Sequence, residues 1–577
     1  MSRPPSPRRP TPSRHGAPRA TAPRPPRPRR APEAQPGSLT RELTREPSGR
    51  EASARKPVIR KPPAPRRAAS AHRGPGRRGP GRRGPGRRAG PGRPPKRRWR
   101  ELSTAAKVGY TGAVVLTVTA VLVSLTGYQL YLKLNRNLRV TAVRGLTNRS
   151  SYGVQNILIL GSQTRDGQGP GFGYDPNTNL SDNLLLVHLD ATHTHATVVS
   201  IPRDTMVYEP ACRSRFGHGV VPAQQHAIID GAMNQGGPSC AVATVEHLTQ
   251  IRMDHFIEFD FNSFRAMVDT LGGVQVCVPQ AVNDPWSGLH LSAGKHVVTG
   301  DQALAFVRTR HGVGNGGDLG RIELQQEFFS SLIQKIESQG TLGNPVRLYD
   351  IANTATESLT VDPGLGSVSK LLSLASTLRN LHTKNVTFIT MPTITDPSNT
   401  NRLLPEEPQD DVLWHTLATG AVWHGALPAP PASRVTVNVL NGAGITGLAA
   451  QTAASLRGLG FRVGQVGDAP AAAATTVSYP GRAQAGAAYR VMGALKQAPA
   501  IQNEAAGPVT LTLGANFAGV AAPAKSRHHR HRGRSGATAA GQPATVPGQA
   551  AAIESRNAAE NICSAMPAAN PDVGSPP

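Results

Sequence analysis

The sequence has only four cysteines in 577 residues, which excludes a small scaffold stapled by disulfides. Their spacings match no zinc-site pattern. The chain's longest glycine-rich run, near residue 315, lacks the Gly-Lys-[Ser/Thr] ending of a nucleotide phosphate loop. Acidic residues are almost missing from the first hundred positions, where 30 Lys+Arg stand against 4 Asp+Glu. That segment supplies nearly all of the formal net charge of +28, so the remainder is close to neutral. It also lacks interleaved aromatics and any helix-turn-helix pattern, which argues against nucleic acid as a partner. Long uncharged apolar stretches are absent too, with one exception.

That exception is Val108 to Leu132, 25 residues without a charge. As a helix it spans roughly 37 Å, enough to cross a hydrocarbon core of about 30 Å with some tilt. Tyr110, Tyr128 and Tyr131 sit near its ends, where amphipathic rings favour the membrane interface. It lies too far into the chain to read as a cleaved signal peptide. Lys and Arg crowd its N-terminal flank from Lys96 to Arg100. The positive-inside rule then puts the tail in the cytoplasm and the rest outside, in a single-pass cell-membrane protein.

Composition divides the chain into six parts. Residues 1–104 form a basic Pro/Arg/Gly-rich tail with a GRRGP repeat between Gly76 and Gly86, too poor in apolar residues to fold. A transmembrane helix covers 105–133. An α/β domain covers 150–395, a Pro/Ala-containing linker 396–433, and a small α/β domain 434–517. A second tail, 523–577, carries the stretch SRHHRHRGR and reads as solvated and disordered.

Within 150–395, strand-length apolar runs occur at Asn156–Leu160, Leu184–Leu189 and Thr197–Ile201. Ala241–Gln250 has helical spacing. Strand, helix and strand follow at His255–Phe259, Phe261–Leu271 and Val274–Val278, with Gly272-Gly273 closing the helix. Phe328–Ile336 continues a helix and Val386–Thr390 is a late strand. The fold class is therefore α/β, a central mixed β-sheet covered by helices with a small C-terminal α/β domain. In that second domain Val435–Leu440 alternates like a strand, Leu448–Leu459 is helical, and strands lie near Phe461–Val466 and Val509–Leu513.

The chemistry concentrates in two segments. In Phe306-Val-Arg-Thr-Arg310, Arg308 and Arg310 lie two apart on an expected strand end, which sends both guanidiniums to one face. Paired planar forks suit a diphosphate. A helix is expected from Asp318, on which Asp318, Arg321 and Gln325 share a face. In Ser200-Ile-Pro-Arg-Asp204, Arg203 follows an apolar strand, where open α/β sheets place ligands. Asp204 reads more readily as a helix cap than as a catalyst. Asp182, before the preceding strand, is a candidate Mg²⁺ ligand or a turn residue. Cys212 and Cys240 fall in one loop-rich region and are a candidate disulfide outside the cytoplasm, although spacing alone cannot establish the Cα approach. Cys277 reads as a buried strand residue and Cys563 as part of the tail.

These segments resemble the LytR-CpsA-Psr family of bacterial cell-wall proteins in its actinobacterial form. The matching stretches are Asn156–Ser162, Ser181-Asp182, Ser200–Asp204, Gly236–Pro238, Asp254–Phe256, Leu271–Val274, Val307–Arg310 and Asp318–Arg321. Residues 434–517 resemble the small C-terminal domain of many members. The resemblance implies transfer of a phosphoglycan from a polyprenyl-pyrophosphate carrier to a peptidoglycan hydroxyl, with Mg²⁺, and a prenyl chain held in an apolar tunnel. It assigns the pyrophosphate to Arg203, Arg308 and Arg310, with Gln325 in support and Arg321 in the family motif. It assigns the metal to Asp182, and the role of base to Asp318.

Three positions depart from the family pattern. Gln163 stands where Asp is usual, Leu180 where Arg is frequent, and Ile228 where a basic residue is common. A neutral amide binds Mg²⁺ more weakly than a carboxylate. Two alternatives therefore stand beside the transferase: a catalytically weak lipid-pyrophosphate binding protein or pyrophosphatase of the same fold, and a membrane-bound regulator with a nucleic-acid-binding tail.

Overall fold

The computed structural model describes residues 103–146, 153–163, 179–217, 219–310, 317–337, 344–379, 381–504, 506–521, 555–560 and 563. The first tail up to residue 102, the glycine-rich residues 311–316 and the SRHHRHRGR stretch lie outside them.

The uncharged run belongs to helix α1, Thr104–Asn137, capped by Ser103, whose hydroxyl accepts from the Ala106 amide. Most of its large apolar side chains are exposed along the span. It is the one helix among the described residues long and apolar enough to cross a membrane. The helix does not stop where the apolar run stops. Its last turn enters the folded domain, where Leu134 and Leu138 are buried against Val361, Leu365 and Val368.

An eight-stranded mixed sheet forms the centre. In chain order its strands are β1 (Arg139–Val140), β2 (Gln155–Ser162), β3 (Ser181–Leu189), β4 (Ala196–Ile201), β5 (His255–Phe259), β6 (Leu359–Val361), β7 (Val386–Thr390) and β8 (Ser555–Asn557), and in space they run β1-β6-β5-β2-β3-β4-β7-β8. β2, β3 and β4 are antiparallel neighbours, whereas β2–β5 and β4–β7 are parallel. Both faces are covered, which is why these strands read as continuous apolar runs and not as alternation. Leu184 and Leu186 face one core with Val242, Val245 and Trp414. Leu185, Leu189 and Val198 face another with Phe329 and Ile333. Helix α2 (Phe261–Thr270) ends at Gly272 and Gly273, both in the left-handed region, as a helix stop before the next strand requires.

Two expectations need correction. The stretch 396–433 is not a plain linker. It completes the hairpin of Thr393–Asp396 with Asn399–Pro405 and continues into the helix Gln409–Ala418, whose Leu413 and Trp414 are fully buried. Its alternation is too short to be read from composition beside so many prolines. The second tail is also not wholly unstructured: β8 pairs antiparallel with β7, Arg556 is buried, and Cys563 is disulfide-bonded to Cys277 across a Cα–Cα distance of 5.2 Å. Cys277 is the buried strand residue expected, and it is a half-cystine as well. The Cys212–Cys240 pair is formed too, at 5.5 Å between Cα atoms.

The C-terminal domain is a five-stranded mixed sheet in the order Arg462–Asp468, Thr436–Asn441, Val509–Leu513, Thr476–Pro480, Ala500–Glu504, with helices Leu448–Gly458 and Ala485–Met492. It is tied to the larger domain at Asp411, which accepts hydrogen bonds from the Tyr479 hydroxyl (2.8 Å), Arg482 Nε (2.5 Å) and Asn503 Nδ2 (3.0 Å).

Candidate functional site

The antiparallel register of β2, β3 and β4 determines which residues meet. Ser162 pairs with Ser181, and Leu184 with Ile201. The residue after β2 (Gln163), the second residue of β3 (Asp182) and the second residue after β4 (Arg203) therefore gather at one end of the sheet. Arg203 Nη1 and Gln163 Nε2 both donate to Asp182 Oδ1. Leu180 contributes only its backbone carbonyl, which accepts from the Gln163 amide at 2.8 Å. Ile228 lies in a separate short strand, Gln224–Ile228.

Helices α3 (Gly300–Arg308) and α4 (Asp318–Glu337) bring the second segment to the same place. Asp318 opens α4 and pairs with Arg321 one turn on. Arg321 is 4% exposed; its Nη2 donates to the Asp182 carbonyl at 3.2 Å and its Nη1 lies 3.6 Å from the Asp182 carboxylate. Asp318 Oδ1 also faces Arg310 Nη2 at 3.6 Å and Arg203 Nε at 3.9 Å. Two neighbouring amides fix α4 in position. Gln325 Nε2 donates to the Val307 carbonyl at 3.0 Å, and Gln326 Nε2 to Thr390 on β7 at 3.0 Å. Gln325 thus holds α4 against the end of α3.

The expected strand end carrying Arg308 and Arg310 is instead the C-terminus of α3. Ala303, Leu304, Phe306 and Val307 are buried around that helix, so burial on helical spacing overrides the strand reading. The helix stops at Thr309 in an extended conformation, and the two arginines part. Arg308 stacks over the Phe261 ring, 4.7 Å from its centre, while Arg310 turns to Asp318.

Asp204 caps no helix. It lies 3.5 Å from Arg402 and 3.9 Å from Arg203. Arg402 comes from the hairpin in the supposed linker, and sequence reasoning missed it for that reason. Asp230 was missed as well. Burial, with Asp204 and Asp182 adding to it, outweighs the pull of Arg203 and pushes its carboxyl up to about 6. Burial alone would depress the Arg203 guanidinium, but Asp182, Asp204, Asp318 and Asp230 together raise it. For Arg321 burial wins, and its value falls.

Three arginines, Arg203, Arg310 and Arg321, thus pair with two carboxylates, Asp182 and Asp318, and Arg308 lies on the border of the adjoining cavity. Among the described residues, Arg203 Nε, Arg310 Nη2 and Arg321 Nε are buried with no hydrogen-bond acceptor. Buried unmatched donors are costly unless a ligand satisfies them. An oxyanion with several acceptor atoms meets that requirement. Asp318 Oδ1 is taken up by these ion pairs, while its Oδ2 is buried without a hydrogen-bond donor. Asp182 is the carboxylate that could hold Mg²⁺ together with phosphate oxygens.

An apolar cavity opens beside this cluster. Asp182, Arg308, Arg321 and Gln325 border it, and its walls include Phe259, Phe261, Phe264, Leu304, Val307 and Phe329. Gly161 also lines it, where a Cβ would lie 3.3 Å from Asn183 and 3.5 Å from Phe259. A charged end and an aromatic interior suit an amphiphile with an anionic head.

A family model described as the LytR_cpsA_psr family matches residues 120–419. The chain belongs to that family. A second model, described as LytR cell envelope-related transcriptional attenuator, matches residues 434–517. The chain is 31% identical over 403 residues to the cell wall biosynthesis protein LcpA of Corynebacterium glutamicum, covering 61% of this chain and 75% of LcpA. It is 29% identical over 238 residues to TagT of Bacillus subtilis, named a polyisoprenyl-teichoic acid–peptidoglycan teichoic acid transferase, covering 40% of this chain and 67% of TagT. Among solved structures, a LytR-Csp2A-Psr enzyme from Actinomyces oris aligns at 24% identity and a TM-score of 0.38, covering 49% of this chain and 96% of that one.

Proposed function

We propose that this chain is a cell-wall glycopolymer transferase that moves a phosphoglycan from a polyprenyl-pyrophosphate carrier to a hydroxyl of peptidoglycan, outside the membrane that α1 spans. The observation that carries this reading is the cluster of unmatched arginine donors at the mouth of the aromatic cavity. Relatives named for cell wall biosynthesis and teichoic acid transfer support it.

In this reading the end of the prenyl chain enters the cavity, whose free volume of about 40 Å³ must widen to take it, and the pyrophosphate lies among Arg203, Arg308, Arg310 and Arg321. The acceptor oxygen bonds to the phosphorus next to the sugar, the bond to the lipid-side phosphate breaks, and the lipid phosphate leaves with the electron pair. Asp318 takes the proton of the acceptor hydroxyl. The guanidiniums neutralise charge on the equatorial and leaving oxygens, which is most of what phosphoryl transfer asks of a protein. Asp182 would hold Mg²⁺, which would add to the neutralisation of the phosphates.

The test is incubation of the purified chain with a polyprenyl-pyrophosphate glycan, Mg²⁺ and peptidoglycan fragments. Transfer that disappears in Arg203→Ala supports the reading, and no transfer by the parent chain contradicts it. One observation favours a second reading, in which the lipid pyrophosphate is bound but turned over poorly. Gln163 donates its amide to Asp182, on the carboxylate that Mg²⁺ would use. Binding without turnover, with turnover gained in Gln163→Asp, selects that reading.

A further inference from the structure

Helix α5, Pro345–Ser358, runs beside the end of α1 and in step with it. Tyr349 Oη lies 3.2 Å from Lys133 Nζ, and four residues on, Asn353 Oδ1 lies 3.3 Å from Asn137 Nδ2. Equal steps of four in both helices mean that they are parallel, at the same rise per residue. Thr356 and Glu357 also accept from Asn137 Nδ2, each at 3.4 Å, and fix the upper end. Counting back from Tyr349, Val346 stands level with Leu130 and Leu348 level with Leu132. Both levels fall within the uncharged run of α1, whose last residue is Leu132.

Among the described residues, the first turn of α5 nevertheless exposes its apolar side chains. Val346 is 65% exposed and Leu348 47% exposed. The turn is built, not frayed: Asn344 Oδ1 accepts from the amides of Val346 (2.9 Å) and Arg347 (3.3 Å). A third exposed apolar side chain, Leu372, belongs to the helix Val368–Leu378, whose first amide donates to Asn135 Oδ1 of α1 at 3.0 Å. Two helices clamped to the final turns of the span therefore expose apolar residues beside it.

We propose that the first turn of α5, with Leu372, seats in the outer interface of the bilayer, so that the domain rests on the membrane instead of hanging from its anchor. This rests on α1 being a membrane span. The occupant is lipid because the register places Val346 at a level where α1 itself is lipid-facing, and apolar side chains at that depth transfer favourably from water. Arg347 beside them suits the headgroup layer, where a long cationic side chain reaches polar surroundings. Farther along, α5 meets α2, the helix that carries Phe261 and Phe264 of the cavity wall, where Thr354 lies 2.9 Å from Thr270.

The test uses the full chain in lipid nanodiscs, with single cysteines at Val346, Leu348, Val118 and Ile445 carrying an environment-sensitive fluorophore. The four native cysteines are all in disulfides, which leaves the introduced thiol as the labelling site. Lipids bearing a shallow or a deep spin label are the quenchers, in separate samples, the shallow one read at 346 and 348 and the deep one at 118. The expected result is quenching at Val346→Cys and Leu348→Cys of at least half that at Val118→Cys in the span, with little at Ile445→Cys in the C-terminal domain. Quenching at 118 with 346 and 348 behaving like 445 overturns the seat and leaves the span intact. No quenching at 118 overturns both.

Discussion

The chain buries two charge clusters, and the groups they leave unmatched differ in kind. At the sheet end, Arg203, Arg310 and Arg321 crowd around Asp182 and Asp318, with Asp204, Asp230 and Arg402 at the edge, and three buried guanidinium N–H groups are left without acceptors. At the domain junction, Glu407, Asp410 and Asp411 outnumber Arg482. There the surplus is relieved in part: Asp411 takes three donors, and burial with Asp411 beside it pushes the Asp410 carboxyl up to about 8. A carboxyl can discard its charge by binding a proton, whereas a guanidinium cannot at any ordinary pH. Both clusters keep unmatched buried atoms, Asp410 Oδ1 and Arg482 Nη1 among them at the junction. Protonation can relieve an acidic group, whereas the unmatched N–H groups of three arginines at the sheet end call for an acceptor such as an oxyanion.

The largest expected effect separates the two clusters by activity. Arg203→Ala should lower transfer by about 10²–10³-fold, the usual consequence of losing one donor aimed at developing charge. Arg482→Ala, at the junction, should leave transfer per folded molecule unchanged. Equal losses in both variants would erase the distinction.

Stability should separate them in the other direction. Arg482→Ala strips Asp411 of one of its donors and frees the Leu248 carbonyl, and should destabilise the chain by about 1–3 kcal/mol in denaturant titration. Arg203→Ala also uncovers carboxylates, since Asp182, Asp204 and Asp318 all pair with it. The cluster keeps Arg310, Arg321 and Arg402 beside them, however, and a loss no larger than that of Arg482→Ala is expected. A third region calibrates the scale. Cys563→Ser opens the bond holding β8 to the sheet edge, beside Arg556 and the buried Glu327. A loss of about 2 kcal/mol is expected, at the lower end for a native disulfide because strand pairing persists.

The smallest effect is a pH slope. The folded value of Asp410 lies above its unfolded value of about 3.9, so its contribution is full below pH 4 and is lost as pH rises through about 8. Asp410→Asn should therefore flatten the fall in thermal midpoint between pH 6 and pH 8. An unchanged slope would show that Asp410 is not where the acidic surplus is relieved.

How much of this was legible beforehand depends on where the information resides. β2, β3, β4 and β7 were readable because both sheet faces are buried and the runs are unbroken. Arg203, Asp182 and Asp318 were readable because each sits at the end of such an element. Arg310 was placed at the right site for the wrong reason: the alternation of Arg308 and Arg310 suggests a strand, but Ala303, Leu304 and Val307 carry the helical stripe. Arg402, Asp230 and β8 were hidden because they reach their neighbours through long-range contacts that no local pattern encodes. The Cys277–Cys563 pair, 286 residues apart, was hidden for the same reason.

The central claim is that the arginine cluster is built for a diphosphate on a lipid, and direct binding tests it most simply. The affinity of the detergent-solubilised full chain for a polyprenyl diphosphate is compared with that for the matching monophosphate, in the parent chain and in Arg203→Ala. The account predicts that the diphosphate binds at least tenfold more tightly than the monophosphate and that Arg203→Ala abolishes most of the difference. Equal affinity for the two lipids in the parent chain would contradict it.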